Sequence, residues 1–256
     1  MCQHVYRAAC AAAGTAVSTA PRPDLAASAP GPATGCILAF IAGYVDVVGF
    51  VSLFGLFTAH VTGNFIMIGV DVTGNEAGLL AKLLALPAFV LAVAATRVAE
   101  VRLGKSGRSP VAPLLLTEAV LLLLFMAASL HAAPVTDPSA PAALVAGMLA
   151  VMAMGIQNAL SRTSLLELGP TTIMTGNTTQ IVIDLVDLPS ASGAQREAIR
   201  RRLRKMGPAL AAFALGAILG AVGYATLSVW CVLLPAVLLV AIGIPAWRHG
   251  QPSAAS

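Results

Sequence analysis

Asp46 lies ten residues into an apolar stretch running from Cys36 to Phe57, and Glu118 lies seven residues into another, from about Val111 to His131. An ionisable side chain at the centre of an apolar helix costs about 2.5–3.5 kcal/mol to place in hydrocarbon. Such a group is kept for a proton relay, an ion site or a substrate contact. The plainer alternative is a protonated acid hydrogen-bonded to a neighbouring helix. Two tripeptides accompany these carboxylates. Thr62-Gly63-Asn64 and Thr175-Gly176-Asn177 each open a short apolar run, and each is followed after six residues by an aspartate, Asp71 or Asp184. Gly lets a helix start sharply, and Thr and Asn side chains can cap its free N–H groups. Those N–H groups, at the positive end of the helix dipole, also suit an anionic or polar ligand. The same residues would equally satisfy a helix break with no solute present. Gln157 and Asn158 complete the candidate pathway. Adjacent amides are unusual in an apolar stretch and are expected to face the interior, where each is worth about 0.6 kcal/mol as interhelical glue.

These residues recur in order. Gly43-Tyr44-Val45-Asp46 precedes Thr62 by 19 residues, and Gly155-Ile156-Gln157-Asn158 precedes Thr175 by 20. Pro87-Ala88 matches Pro208-Ala209, so the offset between matches grows from 112 to 113 to 121, as loop insertions produce. Thr-Gly-Asn alone is weak, since a third copy occurs at Thr73–Asn75 outside the repeat. The ordered set indicates an internal repeat. Asn158 is then the counterpart of Asp46, and only the first half carries a carboxylate there. Asp71 and Asp184 read most simply as solvated groups at the interface, and Arg97 and Glu100 as a snorkelling pair near a helix end.

The elements that hold these residues are membrane helices. Of 256 residues, 58% are hydrophobic and 10% charged, and the mean hydropathy is +0.87. A soluble domain carries about 25% charged residues, so a water-facing surface is excluded. The excess of 15 Lys and Arg over 11 Asp and Glu is too small and too clustered for nucleic acid. Cys2, Cys10, Cys36 and Cys231 are scattered and form no metal or disulfide framework. Residues 1–34, rich in Ala, Ser and Pro, read as a flexible tail; Ala8–Val17 is a weak candidate for a signal-peptide core. The first membrane repeat is expected over 35–131, the second over 132–247, and a short tail over 248–256. Apolar segments fall at 36–57, 59–72, 79–101, 111–131, 142–160, 171–188, 208–227 and 229–247. Six approach the roughly 20 residues that a spanning helix needs. The segments at 59–72 and 171–188 are short and interrupted.

Loop charge sets the topology. Arg102, Lys105 and Arg108 follow the third segment, and Arg196 through Lys205 follow the sixth. Both loops should be cytoplasmic, as should Arg248. The Arg196–Lys205 run reads as a solvated face that touches anionic headgroups. Eight crossings would put the Arg102–Arg108 loop outside. Six crossings with two re-entrant or half-length helices put every basic loop inside, and three crossings per half invert the halves. Inverted repeats with broken helices near the midplane mark secondary transporters.

Other motifs fail. Gly104-Lys105-Ser106 lacks the glycine a phosphate-binding loop needs, because position 99 is Ala. His4, His60, His131 and His249 are far apart, and His60 reads as interfacial. Gly216, Gly220 and Gly223 form a small-residue face suited to packing within the bundle or between copies in a homo-oligomer. Taken together, Gly43-Tyr44-Val45-Asp46 with Phe50, the two Thr-Gly-Asn segments and Gly155-Ile156-Gln157-Asn158-Ala159 resemble the YoaK-like family of bacterial membrane proteins, over about residues 36–246. Val47 departs from the alanine expected after Asp46. The resemblance implies a multi-spanning protein of the bacterial cytoplasmic membrane and implies no substrate.

The expectation is an all-α membrane bundle without enzymatic activity or cofactor. It would act as a secondary transporter of a small solute, coupled to a proton or cation at Asp46 and Glu118. A channel or a non-transporting scaffold in the bilayer is the alternative.

Overall fold

The computed structural model describes residues 32–74 and 78–249. The expected tail over 1–34 and the candidate signal core therefore lie outside the described residues, apart from Pro32–Thr34, which begin the first helix. Eight α-helices follow in order: α1 (Pro32–Ser52), α2 (Gly63–Val72), α3 (Leu79–Lys105), α4 (Val111–Ala132), α5 (Pro141–Arg162), α6 (Met174–Asp187), α7 (Gly193–Leu227) and α8 (Leu233–His249). Short 3-10 turns occupy Leu166–Leu168 and Ser228–Val232. No strand occurs among the described residues.

Five helical stretches are long and apolar enough to cross a membrane: Ala33–Ser52, Leu79–Lys105, Val111–Ala132, Pro141–Arg162 and the joined run Gly193–Trp247, which contains both α7 and α8. Many large apolar side chains on their outer faces are exposed, among them Leu91, Ile218, Val222 and Val237. Water would penalise such a surface, and lipid does not. The protein is a helical membrane protein.

Two helix limits differ from the apolar segments. The first segment was expected to stay apolar to Phe57, but α1 stops at Ser52, whose hydroxyl donates to Val48 O at 2.6 Å. Phe54 and Gly55 then adopt positive φ, 53° and 82°. The chain turns back, and Leu53 and Leu56 are buried as loop residues rather than as helix. At the other limit, α7 begins at Gly193, about four turns before the apolar segment at 208. Its basic stretch is rich in Arg, Ala, Leu, Lys and Gln, all strong helix formers. Charge reports the side of the membrane and says nothing about helicity.

The two halves interlock. α1 packs chiefly on α7, from the other half, and α5 packs on α3; α4 lies against α5 and α8. α2 rests on α3, and α6 on α7. The α1–α7 crossing is tight because glycine faces backbone. A Cβ on Gly43 would meet Phe213 O, and one on Gly216 would meet Phe40 O. One on Gly220 would sit 2.7 Å from Tyr44 O. The glycine face anticipated on α7 is therefore used inside the bundle. In the matching α5–α3 crossing, a Cβ on Gly155 would meet the Ala92 methyl at 2.8 Å.

Candidate functional site

Asp46 sits in the second turn from the end of α1 with 5% of its surface exposed. The returning loop wraps its carboxylate. Oδ1 accepts the backbone N–H of Thr58 at 2.8 Å and of Ala59 at 2.7 Å, with the Thr58 hydroxyl at 3.3 Å. The His60 N–H approaches at 3.4 Å. Oδ2 faces Nδ1 of His60 at 2.7 Å. The carboxylate thus satisfies non-helical N–H groups of the loop that no helix ladder serves. Asn64, near the start of α2, pins the same loop further back. Its Nδ2 donates to Phe57 O at 2.9 Å, and its Oδ1 accepts the Phe57 N–H at 2.9 Å.

The second half repeats this arrangement with different atoms. Asn177 donates to Pro170 O at 3.0 Å. Pro170 stands where Phe57 stands, 113 residues on, and has no N–H to return the bond. Asn158 takes the place of Asp46. Its Oδ1 accepts the Thr172 hydroxyl at 2.6 Å, and its Nδ2 donates to Met154 O at 3.0 Å and to Ala59 O at 3.4 Å. Asn158 therefore bridges the loop of its own half to the loop of the other. Beside it, Gln157 Nε2 donates to Leu38 O at 2.8 Å and to Thr171 Oγ1 at 3.0 Å. Thr58, Gln157, Thr171 and Thr172 are all buried. Together these groups form one polar belt, from α1 through both loops to α5.

Each half also latches its short helix to the next one through the repeated aspartate. Asp71 accepts from Lys82 Nζ at 2.7 Å, and both side chains are buried. Asp184 accepts from Arg202 Nε at 2.9 Å and from Gln180 at 2.9 Å. The Arg202 side chain is 46% exposed. These aspartates are thus buried ion-pair partners, not the solvated interfacial groups their positions suggest. Glu100 is also more than a snorkelling neighbour of Arg97. It is buried, and Oε1 accepts the hydroxyls of Thr163 and Ser164, each at 2.6 Å, beyond the end of α5.

A family model for proteins of unknown function, DUF1275, matches residues 34–244. The chain belongs to the DUF1275 family. No curated protein and no solved structure gives a significant match. The match covers nearly all of the eight described helices of this DUF1275 chain, and so the whole polar belt and both latches.

Of the pathway residues singled out in this DUF1275 chain, Asp46, Asn64, Gln157, Asn158 and Asn177 fall within the belt or anchor its loops. Thr62 and Thr175 do not cap a helix: neither short helix has a side-chain cap, and both threonines are exposed. Gly63 is needed for packing, because a Cβ there would sit 2.9 Å from the Phe57 ring, whereas Gly176 has nothing closer than 4.0 Å. Glu118 stands apart in α4. It is fully buried, and neither carboxyl oxygen has a hydrogen-bond partner among the described residues. An ionised carboxylate there would be uncompensated. Lys82, Thr58 and Thr172 were not singled out from the sequence, and His60, read there as interfacial, is the partner of Asp46. The one available signal for His60 was its place 14 residues after Asp46, on the far side of a loop.

Proposed function

We propose that this protein is a secondary transporter of the bacterial cytoplasmic membrane, of the YoaK-like type, which carries a small solute past the polar belt between its two repeats. The observation that carries this reading is the Asn158 bridge. Two non-helical loops meet inside a lipid-facing bundle, and the half-buried Asn158 side chain binds the Ala59 carbonyl of one and the Thr172 hydroxyl of the other. Backbone of that kind at membrane depth is tolerated only where it is buried in protein or lines a water-filled path. The proposal includes six spanning helices, α1, α3, α4, α5, α7 and α8, with α2 and α6 entering from opposite faces. Both termini are cytoplasmic, and the halves are inverted. Rocking of inverted halves then exposes the belt to each side in turn.

Labelling with an impermeant thiol reagent tests the inversion. In a chain freed of its four cysteines, Thr73→Cys and Ser192→Cys are introduced separately, each after a short helix. Inverted halves place Thr73 outside and Ser192 inside. Labelling of both from the same face overturns the inversion and removes the main argument for alternating access.

A further inference from the structure

We propose that His60 and Asp46 form a proton-binding site whose acceptor atom is Nε2 of His60. The inference rests on the transporter reading and names its coupling ion.

An ionised carboxylate can only accept hydrogen bonds. Asp46 Oδ1 is committed to the amides of Thr58 and Ala59, at 2.8 and 2.7 Å. Oδ2 lies 2.7 Å from His60 Nδ1, so Nδ1 carries the hydrogen. The lone pair of the neutral ring is then on Nε2, which has no hydrogen-bond partner among the described residues. The His60 side chain is 35% exposed, against 6% for Asp46. Nε2 is therefore the uncommitted atom of a pair whose carboxylate end is buried.

A proton delivered by water adds to Nε2 and forms one N–H bond, and its release reverses the step. Loading takes the pair from a net charge of −1 to 0. A lone negative charge in an apolar bundle is far costlier than a compensated pair. The loaded form is accordingly the one that tolerates occlusion from water.

The surroundings add no competing charge. From α7 the Phe213 ring meets the imidazole edge-on, with centroids 5.4 Å apart. The charged residues of α7 all precede Met206. From α5 the neighbour is the neutral Asn158, and the only charged residue of that helix is Arg162, exposed one turn further on. Asp71 and Asp184 are held by Lys82 and Arg202. In the second half the equivalents of Asp46 and His60 are Asn158 and Ile173, neither titratable. The site therefore binds one proton per chain.

The test uses the full chain, labelled at its histidine rings, in lipid nanodiscs by NMR from pH 5 to 9. The His60 signal is the one lost in His60→Gln. It should titrate with a single midpoint, and Asp46→Asn should move that midpoint at least tenfold in proton concentration toward acid, with the other histidines unmoved. A His60 that does not titrate, or a midpoint indifferent to Asp46→Asn, overturns the site. If Asp46→Asn fails to fold, the ring ¹⁵N shifts of the unmodified protein at pH 9 decide: hydrogen on Nδ1 supports the site, and hydrogen on Nε2 overturns it. The transporter reading is tested separately by the labelling rate of Thr175→Cys at pH 5.5 and 8.5, each divided by the rate of a free-thiol peptide at the same pH, because the thiolate fraction alone changes with pH. A threefold or larger change that disappears in His60→Gln supports coupling. A flat rate beside a normally titrating His60 supports the proton site and overturns the transporter reading.

Discussion

The first half of the molecule holds its helix break with a carboxylate and a histidine, whereas the second has an amide and an isoleucine at the equivalent positions. The two anchors of each short helix are shared. In both halves an asparagine near the start of the short helix binds backbone seven residues earlier. In both, an aspartate seven residues further on pairs with a cation of the next helix. The comparison separates scaffold from chemistry: the scaffold is built twice, and the titratable pair once.

The latches are the sharpest place to break the likeness, because Lys82 is buried and Arg202 half-exposed. Lys82→Met strands Asp71 as a buried charge and should destabilise the protein by about 3–5 kcal/mol. Arg202→Met should cost clearly less, because water reaches the Arg202 end of its pair. Thermal unfolding in nanodiscs reads both. Adding Asp71→Leu to Lys82→Met should restore most of the loss; equal costs for the two single variants would mean that the latches are equivalent.

The crossings come next. Gly216→Ala drives a methyl into the Phe40 carbonyl, which cannot rotate away, and should cost about 1–3 kcal/mol. Gly155→Ala presses on the Ala92 methyl and should cost less. The asparagines follow. Asn64→Ala removes two bonds to Phe57 and leaves its N–H buried, a loss of about 1–3 kcal/mol. Asn177→Ala removes only the bond to Pro170 O among backbone contacts and should cost less than Asn64→Ala. The gentlest change puts a second histidine in place without a carboxylate. Ile173→His should alter stability by no more than about 0.5 kcal/mol. Its imidazole should titrate near the ordinary value of about 6.5, on the acid side of His60. Coincident titrations would remove the special role given to Asp46.

The sequence made the scaffold more legible than the chemistry. Length and hydropathy placed an apolar segment on each of the eight described helices, because lipid demands long apolar runs wherever a helix crosses. They failed at Leu53–Phe57, where apolar residues fill a turn, since burial in protein and burial in lipid select the same side chains. The repeat exposed Asp46, Asn64, Asn158 and Asn177 through spacing. His60 was hidden because its partner lies across a loop, and no periodicity links residues on two arms of a turn. Lys82 carried no such signal, since its burial depends on how α2 folds onto α3.

The interlocked crossing also bears on how the chain is made. α1 cannot meet α7 until about 170 further residues have been synthesised, which takes roughly 10–30 s at the ribosome. During that wait α1 holds Asp46 in or near the bilayer without its main helical partner. The groups that cover the carboxylate, however, come from Thr58, Ala59 and His60, only 12 to 14 residues downstream. They leave the ribosome almost together with it. The loop that builds the site thus doubles as a local escort for its charge during insertion, long before the bundle that will enclose it exists.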